Sequence, residues 1–121
     1  MEHRALVPYA RVKDVQRSVA FYSKLGFTIA NQHVENVPDP IWVWLNAGKA
    51  NLMLHKTDEA IIPSEQRIFF YLYVQNVAAF RDQVIAVGIV AGPLTHPFYL
   101  PLGEFEVHDP DGYAVMIAQL D

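Results

Sequence analysis

Two carboxylates and an imidazole recur at every second residue in Glu104-Phe105-Glu106-Val107-His108. Alternate residues of an extended strand share a face, so Glu104, Glu106 and His108 would project together. A Glu–His pair two residues apart has the geometry to move protons at a carbon acid. The two glutamates could equally attract positive charge, although strand glutamates are ordinarily solvated. Other reactive constellations are missing. The absence of cysteine excludes disulfides, thiolate nucleophiles and cysteine-bound zinc. Ser18, Ser23 and Ser64 are the only serines, and none lies in GxSxG. The six glycines form neither a P-loop nor GxGxxG. The histidines, His3, His33, His55, His96 and His108, show no HxH or HxxxH spacing. A metal site built from His55 with Glu104, Glu106 or His108 remains conceivable; surface or hydrogen-bonded histidines are the plainer reading.

The elements that must position these groups come in two similar sets. Val12 and Val74, Asp14 and Asn76, and Gly26 and Gly88 each differ by 62 positions, which suggests an internal duplication. Asp14 and Asn76 offer side-chain oxygens to helix starts. Val15, Tyr22 and Leu25, with Val19 beside them, form one apolar stripe; Val77, Phe80, Val84 and Val87 form the other. Gly26 and Gly88 follow as helix stops. Strands are expected at Ala5 to Val12, Phe27 to Val34, Ile41 to Leu45 and Asn51 to His55. The second set is Ile68 to Val74, Ile89 to Leu94, Glu104 to His108 and Tyr113 to Gln119. Turn signals are Val37-Pro38-Asp39-Pro40, Asn46-Ala47-Gly48 and Asp109-Pro110-Asp111-Gly112. The expectation is an α+β chain of two tandem βαβββ modules in a curved mixed sheet with a cleft. Module one covers about 1–56, a linker about 57–66 and module two about 67–121, in one domain over 1–121.

Asp14-Val15-Gln16-Arg17-Ser18-Val19-Ala20-Phe21-Tyr22, followed by Leu25-Gly26-Phe27, resembles the opening signature of the glyoxalase/bleomycin-resistance/extradiol-dioxygenase superfamily, also called vicinal oxygen chelate. Val107-His108-Asp109-Pro110-Asp111-Gly112-Tyr113 resembles its closing turn. The superfamily holds dioxygenases, isomerases, thiol transferases and antibiotic binders, so the resemblance implies the fold more than a function. Val7-Pro8 ahead of Asp14-Val15 looks like the bleomycin-binding proteins, small dimers that sequester a basic glycopeptide. In some of them the first strand is exchanged between subunits at a proline hinge, a role open to Pro8; a proline tolerated on an edge strand is the alternative.

The resemblance also implies where metal ligands would stand. Those four positions are Val7, Met53, Phe69 and Met116. Valine and phenylalanine have no lone pair to give, and thioethers do not suit hard divalent ions. The expectation is therefore no metal and no cofactor. Strand alternation extends the cleft from these positions to Tyr9, Arg11, His55, Tyr71 and Tyr73, with Glu104, Glu106 and His108. Trp42 and Trp44 are placed there because Ile41, Val43 and Leu45 better suit the core. Phe98 and Tyr99, on a proline-flanked loop, could close over it. Aromatic faces with carboxylates suit a flat or cationic small molecule.

The expected function is metal-independent binding of a small molecule, similar to antibiotic-sequestering resistance proteins, in a homodimer. The alternative is an enzyme of the same superfamily, a lyase or isomerase, with a displaced metal or a metal-free Glu106–His108 acid–base pair. Of 121 residues, 52% are apolar and 18% charged, and the net charge is -4. That profile fits a packed core and gives nucleic acid no basic footprint. No stretch approaches a membrane span, and the N-terminal residues do not read as a secretory signal, so a cytoplasmic protein is expected.

Overall fold

The computed structural model describes residues 1–35 and 39–121. Val37 and Pro38 of the expected turn at Val37-Pro38-Asp39-Pro40 lie outside the described residues. The chain divides into two compact units, Met1–Ile61 and Ile62–Asp121. The expected α+β class is present, as two mixed sheets and two helices.

Unit one contains β1 (Tyr9–Val12), α1 (Val15–Lys24), β2 (Thr28–Val34), β3 (Pro40–Ala47) and β4 (Ala50–Lys56). The sheet order is β1-β4-β3-β2, with β1 parallel to β4 and the other pairs antiparallel. Asp14 caps α1 by accepting from the Arg17 N–H at 3.1 Å. Gly26, with φ +99°, takes the left-handed turn that ends it. Val15 and Tyr22 are buried, together with Val43, Leu45 and Leu54 of the sheet. Ser18 is fully buried as well, whereas Val19 is only partly covered. The buried face of α1 thus runs Val15-Ser18-Tyr22, at the 3-and-4 spacing of a helix.

The first strand is shorter than Ala5 to Val12. Pro8 has no N–H, so the ladder to β4 opens with its carbonyl alone, which accepts from the Met53 N–H at 2.9 Å. The β3–β4 turn sits one step later than the Asn46-Ala47-Gly48 signal. Ala47 pairs with Ala50, and Gly48 (φ +58°) occupies the first turn position, where glycine is favoured.

Unit two holds a 3-10 turn (Pro63–Glu65), β5 (Phe69–Tyr73), α2 (Val77–Ala86), β6 (Glu104–His108) and β7 (Ala114–Ala118). Its sheet order is β5-β7-β6. Asn76 caps α2 through the Ala79 N–H at 3.0 Å, and the Gln119 side-chain oxygen takes the Val77 N–H at 3.0 Å. Both helices have ten residues and keep the 62-residue offset. Val87 is 47% exposed and does not continue the stripe, because it caps the helix; Ile89, past the glycine, is buried in its place.

The strand expected at Ile89 to Leu94 is not formed. Thr95 and Glu104 exchange both backbone hydrogen bonds at 2.9 Å, which would make residue 93 the next donor toward Glu106. Residue 93 is proline. Gly92 donates to the Glu106 carbonyl instead, at 2.8 Å, so the register slips by one and the segment stays irregular. Module two therefore carries three strands, where four were expected.

The β6–β7 connection is held by its own polar groups. Asp109 Oδ1 accepts from the Asp111 and Tyr113 N–H groups, both at 2.9 Å, and both aspartates are buried. Gly112 has φ +89°, and a Cβ there would lie 2.5 Å from Pro63 Cα. Gly48 has nothing within 4 Å of the same position. Gly48→Ala should therefore cost about 1 kcal/mol from backbone strain alone. Gly112→Ala should cost roughly 3–5 kcal/mol, strain plus collision. Urea denaturation of both variants checks the difference; equal losses would contradict the packing of Pro63 on this turn.

Candidate functional site

Strand register builds a trough on one face of the unit-two sheet. Phe69, Ala114 and His108 form one row across it, Tyr71, Met116 and Glu106 the next, and Tyr73, Ala118 and Glu104 the third. The opposite face carries Val115, Ile117, Phe105 and Val107, all buried in the core. Of the middle strand's residues on this face, Met116 is partly exposed, while Ala114 (6% exposed) and Ala118 (0%) are buried. Phe69 (58% exposed), Tyr71 (43%) and Tyr73 (52%) stand along one side. Carboxylates and an imidazole stand along the other.

The third-row end is closed by hydrogen bonds. The Tyr71 hydroxyl donates to Glu104 Oε1 at 3.2 Å, and the Tyr99 hydroxyl donates to Oε2 at 3.3 Å. Glu104 is only 7% exposed, contrary to the solvated position ordinarily expected of a strand glutamate. The Thr95–Glu104 pair closes the loop between them, and that loop carries Tyr99 back to Glu104. Partial burial, and then the neighbouring Glu104 carboxylate, push the Tyr71 phenol up to about 12. The Tyr71 and Tyr73 rings stack at 5.9 Å. Phe98 is 96% exposed and meets Tyr99 edge-on at 5.3 Å, so only the tyrosine of that pair joins the trough.

The first-row end is open. His108 Nε2 lies 2.8 Å from Glu106 Oε2, and both side chains are partly exposed. A pocket of about 440 Å³ is lined here by Phe69, Ala114, Glu106 and His108, with Pro63, Ser64 and Gln66 from the 3-10 segment. Gln66 Nε2 donates to the Asp111 carbonyl at 3.2 Å, which ties that segment to the β6–β7 turn.

Unit one has an aromatic face of its own. Tyr9, Met53, Trp44 and Asn31 are in register across its four strands, as are Arg11, His55, Trp42 and His33. Val43 and Leu45 face the core, so the tryptophans occupy the other face, as strand parity requires. Tyr9 stacks on His55 at 5.7 Å. Trp44 Nε1 donates to Asn51 Oδ1 at 2.9 Å. Arg11 pairs with Glu59 at 3.5 Å, on the surface.

The expected site residues therefore fall on two faces, one in each unit. Ala114, Pro63, Ser64 and Gln66, which line the pocket, were not among them. The parity of Met116 carries the signal for Ala114; nothing local marks the 3-10 segment as a pocket wall. The four positions where a metal would be held do not fit one. Val7 precedes β1, and Met53, Phe69 and Met116 present thioethers and a phenyl ring. Among the described residues no three His, Cys, Asp or Glu side chains are grouped so as to hold an ion.

The model of the Glyoxalase/Bleomycin resistance protein/Dioxygenase superfamily matches residues 3–117, and the chain belongs to that superfamily. Among solved structures, a bleomycin-binding protein complexed with bleomycin has a TM-score of 0.80 and 20% identity, covering 98% of this chain and 100% of that one. A bleomycin resistance determinant encoded on the transposon Tn5 gives 0.79 and 21%, covering 97% and 98%. An antibiotic binding protein from Streptomyces sp. CB03234 gives 0.69 and 17%, covering 98% of each chain. At these identities the likeness establishes the fold. No curated protein sequence matches the chain.

The Tyr71–Glu104 contact has a titration consequence. The phenol is raised from 10.0 to about 12 in the folded state, so its contribution to stability is complete below about pH 10 and is lost as pH rises through about 12. Ultraviolet titration should show one tyrosine ionising near 12. Glu104→Gln should lower it part of the way toward 10, because burial persists. An unshifted tyrosine in the variant would show that the carboxylate does not act on it.

Proposed function

We propose that the chain binds a flat aromatic small molecule without a protein-held metal, in the manner of an antibiotic-sequestering protein. The observation that carries this is the unit-two trough: three exposed aromatic side chains, one of them in register with the partly exposed Met116. Large exposed aromatics in one contiguous patch are unusual unless something covers them. Each ring stacked on such a wall contributes roughly 0.5–1.5 kcal/mol beyond its buried area. The bleomycin-binding and antibiotic-binding structures that share the fold support the ligand class. No helix is long and apolar enough to cross a membrane, and we place the activity in the cytoplasm.

Tyr9, Arg11, Trp42, Trp44, Met53 and His55 are proposed as further ligand contacts on the unit-one face, where quenching of tryptophan fluorescence would report them. We also propose that the two modules act as one domain and that the chain forms a homodimer, with Pro8 as a hinge for the first strand. The exposed aromatic faces support pairing. Sedimentation at micromolar concentration should show a dimer; a sharp monomer boundary would remove that part.

Chelator-treated protein titrated with planar aromatic compounds should show saturable binding by NMR. Phe69→Ala should weaken it about 10-fold, equivalent to about 1.4 kcal/mol. Adding zinc, manganese or nickel should change the affinity less than about two-fold. Binding that requires a divalent ion would overturn the metal-independent reading.

A further inference from the structure

Glu104 is a buried carboxylate without a cation. It is 7% exposed and held by the Tyr71 and Tyr99 hydroxyls. Among the described residues it makes no ion pair with Lys, Arg or His. Buried charges are ordinarily paired, because removing a carboxylate from water is costly and neutral donors recover only part of that. Glu106 differs. It stands partly exposed with His108 Nε2 at 2.8 Å. The rings around Glu104 are themselves exposed: Tyr71, Tyr73 and Tyr99 are each 43–57% accessible. Aromatic faces carry negative quadrupole potential, and a carboxylate set among them adds to it where solvent screening is weak.

We propose that Glu104, framed by Tyr71, Tyr73 and Tyr99, makes the trough selective for planar cations over neutral rings of the same shape. The inference rests on the reading of the trough as a binding surface and adds the charge of its ligand and the residue that selects it. A delocalised ring cation supplies the missing countercharge. It is weakly hydrated for its size and stacks on tyrosine faces without displacing the two hydroxyl bonds. A ligand with an anionic group at this end would be rejected by the same field. Glu104 acts here as a specificity determinant, and Tyr71 and Tyr99 as the groups that position it.

Quinoline and N-methylquinolinium test this directly, since they share a ring system and differ in charge at neutral pH. By NMR titration both should bind, the cation at least ten-fold more tightly. Glu104→Gln keeps an acceptor for the tyrosine hydroxyls. It should bring the ratio near one by weakening N-methylquinolinium, and the dispersed methyl signals of the core residues Val115 and Ile117 check that the variant is folded. Glu104→Asp keeps the charge and should retain a preference. Glu106→Gln should retain it in full. Equal binding of the two probes by the unaltered protein would overturn the selectivity and leave the trough reading standing. So would a preference that survives Glu104→Gln and is lost in Glu106→Gln. Failure of both probes to bind would remove the trough reading, and this proposal with it.

Discussion

Adjacent side chains on a strand point to opposite faces, and in unit two this alternation decides the site. Phe105, Val107, Val115 and Ile117 are almost wholly buried, so they fix which face of β6 and β7 enters the core. The residues between them have no choice. Glu104, Glu106, His108, Ala114, Met116 and Ala118 must share the other face. A slip of one residue in both strands would turn Glu104 and Glu106 into the apolar core and expose a phenylalanine and three aliphatic side chains. The β6–β7 turn guards against that slip. Asp109 binds two N–H groups across it, and Gly112 lets Pro63 approach closely. The turn that resembles a family signature is therefore a structural lock, and it carries the pocket wall with it through Gln66.

The same face shows how one fold can change its use. A metal site needs imidazole or carboxylate donors converging on a point. This chain puts methionine and phenylalanine at the corresponding positions, and among the described residues no donor group forms elsewhere. An ion would have supplied the dominant local charge. On the proposed metal-independent reading, binding would depend on stacking and desolvation against the aromatic faces, interactions that tolerate changes in ligand detail more readily than coordination does.

Much of this was legible in the sequence because it depends on local rules. The caps at Asp14 and Asn76, the glycine stops and the 62-residue offset are short-range features, and the structure realises them at the stated residues. The inward positions of Val43, Leu45, Phe105 and Val107 follow from parity. What escaped were consequences of a partner strand. Ile89 to Leu94 is apolar enough for a strand, yet whether Pro93 is tolerated depends on which residue of β6 needs its N–H. The burial of Glu104 depends on the loop closed by the Thr95–Glu104 pair, from which Tyr99 reaches it. Val87 was counted in the stripe because periodicity alone does not say where a helix stops.

The proposal that ties these features together is that the aromatic face of the unit-two sheet, with Met116 at its centre, is a ligand surface. Methyl-resolved NMR of Ala114, Met116, Ala118, Val115 and Ile117 during titration with N-methylquinolinium, on chelator-treated protein, addresses it residue by residue. The account predicts saturable ring-current shifts that are largest at Met116, with Val115 and Ile117 on the opposite face nearly unmoved. Shifts confined to other parts of the chain, or none at any concentration, would contradict it.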